Sequence, residues 1–189
     1  MTRNRVYLDS EFTNLAPLQG DVIEVAWAVN DGPVRSFPFL HTLAGADQRA
    51  LEVNKYFERG FGHFYTDNVL PSFVEQPCTV ETLNQFKQDL IGATRVAENY
   101  GIDWIKLFQK IGFELWFYRK IELSSVALAV FDLDEPESLH ATAERLREFG
   151  GYDIPEATHA AADDVECLRA CYLALRELRT RLHPKEESK

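Results

Sequence analysis

From Val6 to Phe12 the side chains alternate: Val6, Leu8, Ser10 and Phe12 fall on one face, Tyr7, Asp9 and Glu11 on the other. A period of two marks a strand. Two further β-rich runs, "DVIEVAWAV" (21–29) and "VRSFPFLHTL" (34–43), flank the turn-forming cluster Asn30-Asp31-Gly32-Pro33, which predicts an antiparallel hairpin and, with the first strand, a three-stranded meander. The period then changes. "GADQRALEVNKYFERG" (45–60) reads as a short helix closed by Gly60, and a loop rich in Gly, Phe and His follows. A Thr79 N-cap opens a helix carrying Leu83, Phe86 and Leu90 at helical spacing and ending at Gly92. "TRVAEN" (94–99) is a short strand.

In the second half, Trp104, Leu107, Phe108, Ile111 and Leu115 give residues 103–115 an apolar helical stripe. "KIELSSVALAVF" (120–131) is ambiguous, a strand that can run into a short helix. Ser138 and Gly150-Gly151 bracket another helix. A last long helix, from about Ala160 to Leu182, carries Leu168, Cys171, Leu175, Leu178 and Leu182 on one side, with Asp164 at its head. A meander followed by alternating helices and strands predicts an α/β fold with a mixed sheet flanked by helices. The expected layout is one domain over residues 1–183, with 184–189 a frayed tail.

Composition narrows the class. With 46% hydrophobic and 26% charged residues, the chain is expected to bury a core rather than stay disordered. The first strand starts too early to leave room for a secretory signal, and no apolar run reaches the ~18–20 residues that span a bilayer, so a cytoplasmic protein without membrane contact is expected. Cys78, Cys167 and Cys171 lack the paired spacing of a zinc site and read as buried thiols. A net charge of −10 argues against a broad basic surface for duplex nucleic acid, while leaving room for a short footprint on a strand end.

Against this background two acids in a core strand demand a reason. Asp9 and Glu11 point to the same side, about 6–7 Å apart along the chain. Such carboxylates are either solvated or hold a cation. Asp103 opens the helix after "VAEN", and Asp164 is aimed inward by the stripe that begins four residues later, whereas Asp163 is rotated by about 100° toward solvent. Each Asp alone is explained by its place at a helix start. Together, four carboxylates from three segments suit a hard, oxygen-preferring cation such as Mg²⁺ or Mn²⁺. His159 stands five residues before Asp164, and one continuous helix would turn it about 140° away; it belongs in the preceding loop, where it can take a proton near neutral pH. His41, His63, His140 and His183 read as ordinary exposed loop histidines.

Asp9-Ser10-Glu11, then Asn99 and Asp103 in "VAENYGIDW", then His159 and Asp164 in "HAAADDVECL", resemble the three exonuclease motifs of the histidine-bearing (DEDDh) branch of the DnaQ-like superfamily, from Tyr7 to about Leu175. Alternating acids alone are uninformative; the ordered set with its histidine spacing is specific. The sister branch has a tyrosine four residues before the last aspartate, where this chain has Ala160. The resemblance implies a ribonuclease H-like fold: a mixed five-stranded sheet, an antiparallel meander followed by parallel strands. It also implies 3′-to-5′ hydrolysis of single-stranded DNA or RNA ends, DNA slightly favoured, to nucleoside 5′-monophosphates with two divalent cations, Mg²⁺ or Mn²⁺. Asp9 would bridge the metals, Glu11 and Asp164 would complete the site that binds the attacking water, Asp103 would hold the second metal, and His159 would be the general base.

The chain departs from the pattern in two places. Phe12 stands where relatives have a small residue after the motif glutamate, although Thr13-Asn14-Leu15 partly restores it, and Glu98 replaces a common histidine before Asn99. Glu98 is an extra acid near the site that either shifts metal preference or, as expected, faces solvent. "ALEVNKYFER" resembles the segment that in relatives packs beside the 3′-terminal nucleotide, which makes Leu51, Asn54 and Phe57 either candidate base contacts or one face of a helix packing on the protein itself, with Asn99 a further substrate contact. Two readings compete with an exonuclease: a catalytically silent nucleic-acid-binding or polymerase-accessory module on the same fold, and a protein whose acids are capping and surface residues. A homodimer and a polymerase partner both stay open.

Overall fold

The computed structural model describes residues 3–67, 80–98, 100–111 and 119–183. Thr79, Leu115, Cys78 and Asn99 lie outside them. Strands β1 (Arg5–Phe12), β2 (Val22–Val29) and β3 (Arg35–Pro38) form the antiparallel meander, and β4 (Thr94–Ala97) and β5 (Lys120–Glu122) extend it in parallel, in the order β3-β2-β1-β4-β5. The sheet is therefore the mixed five-stranded α/β sheet expected from the sequence. β1 lies at its centre, which places Asp9 and Glu11 where the parallel and antiparallel halves meet.

Six helices accompany these strands among the described residues: α1 (Gln48–Val53), α2 (Val80–Leu90), α3 (Tyr100–Ile111), α4 (Leu123–Phe131), α5 (Leu139–Gly150) and α6 (Ala161–Leu182). The alternation in β1 separates two cores. Tyr7 faces α4, α5 and α6 with Ala28, Val96, Leu146 and Leu168, while Val6, Leu8 and Trp27 face α2 and α3 with Phe86, Leu90 and Leu107. On the second side Trp27 packs edge-on against Phe86 at 4.9 Å, and its indole N–H donates to Asp89 at 2.9 Å, so the one polar atom of a fully buried ring is satisfied.

Local chemistry sets the helix ends. The Ser138 hydroxyl accepts from the Ala141 amide and Gly151, at φ 63°, closes α5, as the Ser and Gly signals predict. The ambiguous run 120–131 is both elements, β5 passing directly into α4. Helix α3 starts three residues earlier than read, at Tyr100, which puts Asp103 inside its first turn, and Phe108 is exposed rather than part of the buried stripe. The stripe of α6 is buried from Val165 to Leu175, but Leu182, beside β5 and α4, is largely exposed. Cys167 and Cys171 are buried free thiols in that stripe, as expected. The helix read over 45–60 shortens to α1, followed by turns and a 3₁₀ turn at Phe61–Phe64. Tyr56 and Phe61 fasten this segment to the sheet through Ile23.

His41 corrects the sequence reading. It is fully buried, with Nδ1 2.9 Å from the Phe39 carbonyl and Nε2 2.8 Å from the Tyr56 hydroxyl, and burial lowers its pKa. A ring with both nitrogens occupied inside the protein is a structural crosslink. His63, His140 and His183 are exposed as expected, although His140 stands in the first turn of α5 and His63 in the 3₁₀ turn rather than in loops.

Candidate active site

Three carboxylates converge first. Asp9 and Glu11 extend from the same face of β1, and Asp164 comes from the first turn of α6, which packs on β1 and β2; one oxygen from each lies within 4.8 Å of the others. Asp103, 5% exposed, approaches from α3 and lines the same cleft, whose volume is about 590 Å³. Asp163, one residue before Asp164, is exposed and accepts from the Thr158 hydroxyl at 2.7 Å. The burial stripe of α6 thus selects the inward aspartate as the sequence predicts.

Crowding and burial act in one direction on these groups. Asp9 is raised well above the usual carboxylate range, first by desolvation and then by the charges of Asp103, Glu11 and Asp164. Desolvation pushes Glu11 up to about 8, with Asp164 adding to it and Arg59 opposing it. Asp103 is also pushed up to about 8, chiefly by desolvation. Desolvation raises Asp164 too, against the Thr158 amide, which donates to its Oδ1 at 2.8 Å. Four acids resisting ionisation together are short of positive charge, and a cation would supply it. The donors offered are oxygens only, which fits a hard divalent ion and not a thiolate-preferring one.

His159 sits at the mouth of this cleft, exposed, in the loop before α6 and not in the helix. Its φ of 59° is a left-handed conformation that costs a non-glycine residue about 1–3 kcal/mol unless neighbours hold it. The loop is held from both sides, by Thr158 on Asp164 and by the Arg59 guanidinium, which donates to the His159 carbonyl at 3.0 Å.

Glu98 does not simply face solvent. It lines the cleft half-buried, and its Oε1 accepts the Leu139 amide at 2.8 Å, capping α5 from a distance of 41 residues in sequence. Desolvation raises its pKa while that amide opposes the rise.

The candidate base contacts separate. Asn54 lines the cleft, but its side-chain N–H donates to the Phe12 carbonyl at 2.8 Å and so ties α1 to the end of β1. Leu51 packs toward Ile23, Tyr56 and Phe61. Phe57 is 75% exposed and leans edge-on against Tyr56 at 5.1 Å, outside the residues that line the cleft. In their place the rim carries Leu15, Val53, Ile102 and Arg49. Leu15 is 64% exposed, an apolar residue in the loop just after the acid strand; its signals in the sequence are that position and its place in Thr13-Asn14-Leu15, which partly restores the motif.

No protein-family model matches the chain, and no curated protein matches it. Among solved structures it is similar to a product-bound structure of exonuclease I, with a TM-score of 0.64 at 12% identity over 96% of this chain. The chain spans 45% of the length of that neighbour. At that identity the likeness concerns the path of the backbone. In fold the chain is thus a ribonuclease H-like α/β protein, a mixed five-stranded sheet flanked by helices with an acid cluster at its centre, similar in backbone path to the part of the exonuclease I structure that it covers.

Proposed function

We propose that the chain is a metal-dependent 3′-to-5′ exonuclease of the DEDDh type, acting on single-stranded nucleic-acid ends in the cytoplasm, with DNA slightly favoured over RNA. The observation that carries this reading is the convergence of Asp9, Glu11 and Asp164 within 4.8 Å, with Asp103 beside them and His159 at the cleft mouth. The similarity in fold to exonuclease I supports it.

Asp9, Glu11, Asp103 and Asp164 would hold two divalent cations, Mg²⁺ or Mn²⁺. Such ions, when bound, lower the pKa of an attacking water and neutralise phosphate charge. The chain's own groups do the rest. The carboxylates crowd their charge into a desolvated pocket, so their demand for a counter-ion is built into the fold. His159, reaching the cleft from an exposed loop, accepts the proton of the attacking water and returns it to solvent. Leu15, Val53 and Ile102 offer apolar surface at the rim against which an unpaired terminal base can pack. The expected product is a nucleoside 5′-monophosphate.

The test uses matched 5′-labelled single-stranded DNA and RNA oligonucleotides with Mg²⁺ or Mn²⁺, EDTA controls, and Asp164→Ala beside the unmodified protein. A cation-dependent ladder shortening from the 3′ end, lost in the variant while its thermal unfolding stays cooperative, is the expected outcome. No shortening of either substrate would sink the proposal and favour a silent nucleic-acid-binding module.

A further inference from the structure

The sequence motifs account for the acids and the histidine, but not for what holds the histidine's loop. Glu24 in β2 lies directly across from Glu11 in the sheet register. Like charges at opposed strand positions repel unless one is neutralised. Arg59, in the turns after α1, supplies that neutralisation: its Nη2 bonds Glu24 Oε2, and its Nη1 donates to the His159 carbonyl. The same Glu24 oxygen also accepts the Ala161 amide, at the first residue of α6, at 3.3 Å. The guanidinium stacks over Phe61 at 4.6 Å, so its plane is fixed from a third direction. Arg59 and Glu24 side chains are only 22% and 12% exposed.

We propose that Arg59 is a positioning residue: bridged to Glu24, it grips the backbone on the N-terminal side of α6 and keeps His159 in its left-handed conformation over the acid cluster. The inference rests on the reading of His159 as general base. Two features of the geometry make it specific. The guanidinium fork reaches a carboxylate and a carbonyl at once, which a single ammonium cannot do with the same rigidity. The strut also originates in the segment that carries Asn54, a residue that lines the cleft. The wall of the cleft and the loop that carries the base are thereby one mechanical unit.

The experiment compares Arg59→Met, Arg59→Lys and Glu24→Gln with the unmodified chain. Amide hydrogen exchange over residues 157–161, measured without substrate, should speed up by about tenfold or more in Arg59→Met. With Mn²⁺ and an oligonucleotide, kcat should fall about 10- to 100-fold with little change in KM, because the base is misplaced while the substrate still seats. Arg59→Lys should recover part of both losses. Arg59→Lys keeps the positive charge that acts on Glu11 and should leave Mn²⁺ binding by calorimetry within about twofold. Should Arg59→Met not fold, Glu24→Gln carries the same test, as it keeps the volume and removes the charge.

Unchanged exchange over 157–161 overturns the strut, and loosened exchange with unchanged kcat overturns its role in positioning. If the unmodified chain cleaves nothing, the exonuclease reading fails with it, and the positioning role of Arg59 falls too. Activity in the unmodified chain with no effect of Arg59→Met refutes the strut alone.

Discussion

Glu11→Gln should stabilise the protein in the absence of divalent ions while removing its activity. Glu11 is 7% exposed and titrates at about 8 in the folded state against 4.5 for an ordinary glutamate. A folded pKa above the unfolded one means that the native state binds more protons. The stabilisation is therefore complete below the unfolded value and is lost as pH rises through the folded one. Between those limits the cost of ionising the group accumulates at about 1.4 kcal/mol per pH unit, reaching roughly 3 kcal/mol at pH 7. Asp9 and Asp164 share the repulsion, and a proton taken by any one of them relieves the rest, so the neutral amide should recover about 1–3 kcal/mol. For a chain of this length that is an increase in Tm of roughly 2–10 °C.

The assay is thermal unfolding in EDTA at pH 5, 6, 7 and 8 for both proteins. Near pH 5 the curves should nearly coincide, and the variant should pull ahead as pH rises. Adding Mn²⁺ should reverse the order, because an ion at 1,000 times its Kd adds about 4.1 kcal/mol to the protein that binds it, more than the variant gains. A variant no more stable than the unmodified protein at pH 8 in EDTA would refute the reasoning, since the bridge from Arg59 to Glu24 would then suffice to balance the cluster.

Two further outcomes follow from single contacts. Asn54→Ala leaves the Phe12 carbonyl without its donor in a buried setting and should lower stability by about 1–3 kcal/mol, read as a Tm decrease larger than that of a surface Asn→Ala control. Glu98→Ala removes the acceptor of the Leu139 amide while Ser138 still caps α5, and should cost about 1 kcal/mol, whereas Glu98→Gln keeps an acceptor for that amide and should cost much less; equal losses in urea unfolding would show that this hydrogen bond is not what Glu98 supplies.

Local periodicity made the centre of the site legible. The alternation in residues 6–12 puts Asp9 and Glu11 on one face, the stripe of α6 chooses Asp164 over Asp163, and the 100° helical step excludes His159 from the helix that carries Asp164. What stayed hidden depends on partners far along the chain. Glu98 reads as a polar residue after a short strand until the N-terminus of α5 arrives 41 residues later. His41 reads as a loop histidine until Tyr56 covers it. Glu24 is the one acid in an apolar strand run, a visible anomaly, but its partner Arg59 lies 35 residues away. "ALEVNKYFERG" has helical composition throughout, yet α1 ends at Val53 because Tyr56 and Phe61 pack onto the sheet at Ile23.

The acid cluster joins the first strand to the last helix, and that has a meaning in time as well as in space. While a nascent chain emerges, β1 can pair with β2 long before α6 exists, so Asp9 and Glu11 spend that period hydrated and cheaply charged. The repulsion grows as α3 brings Asp103 beside them and again when α6 docks and adds Asp164. Docking of α6 thus adds charge to an already crowded cluster, and a divalent ion held there would act as a latch on the assembled fold.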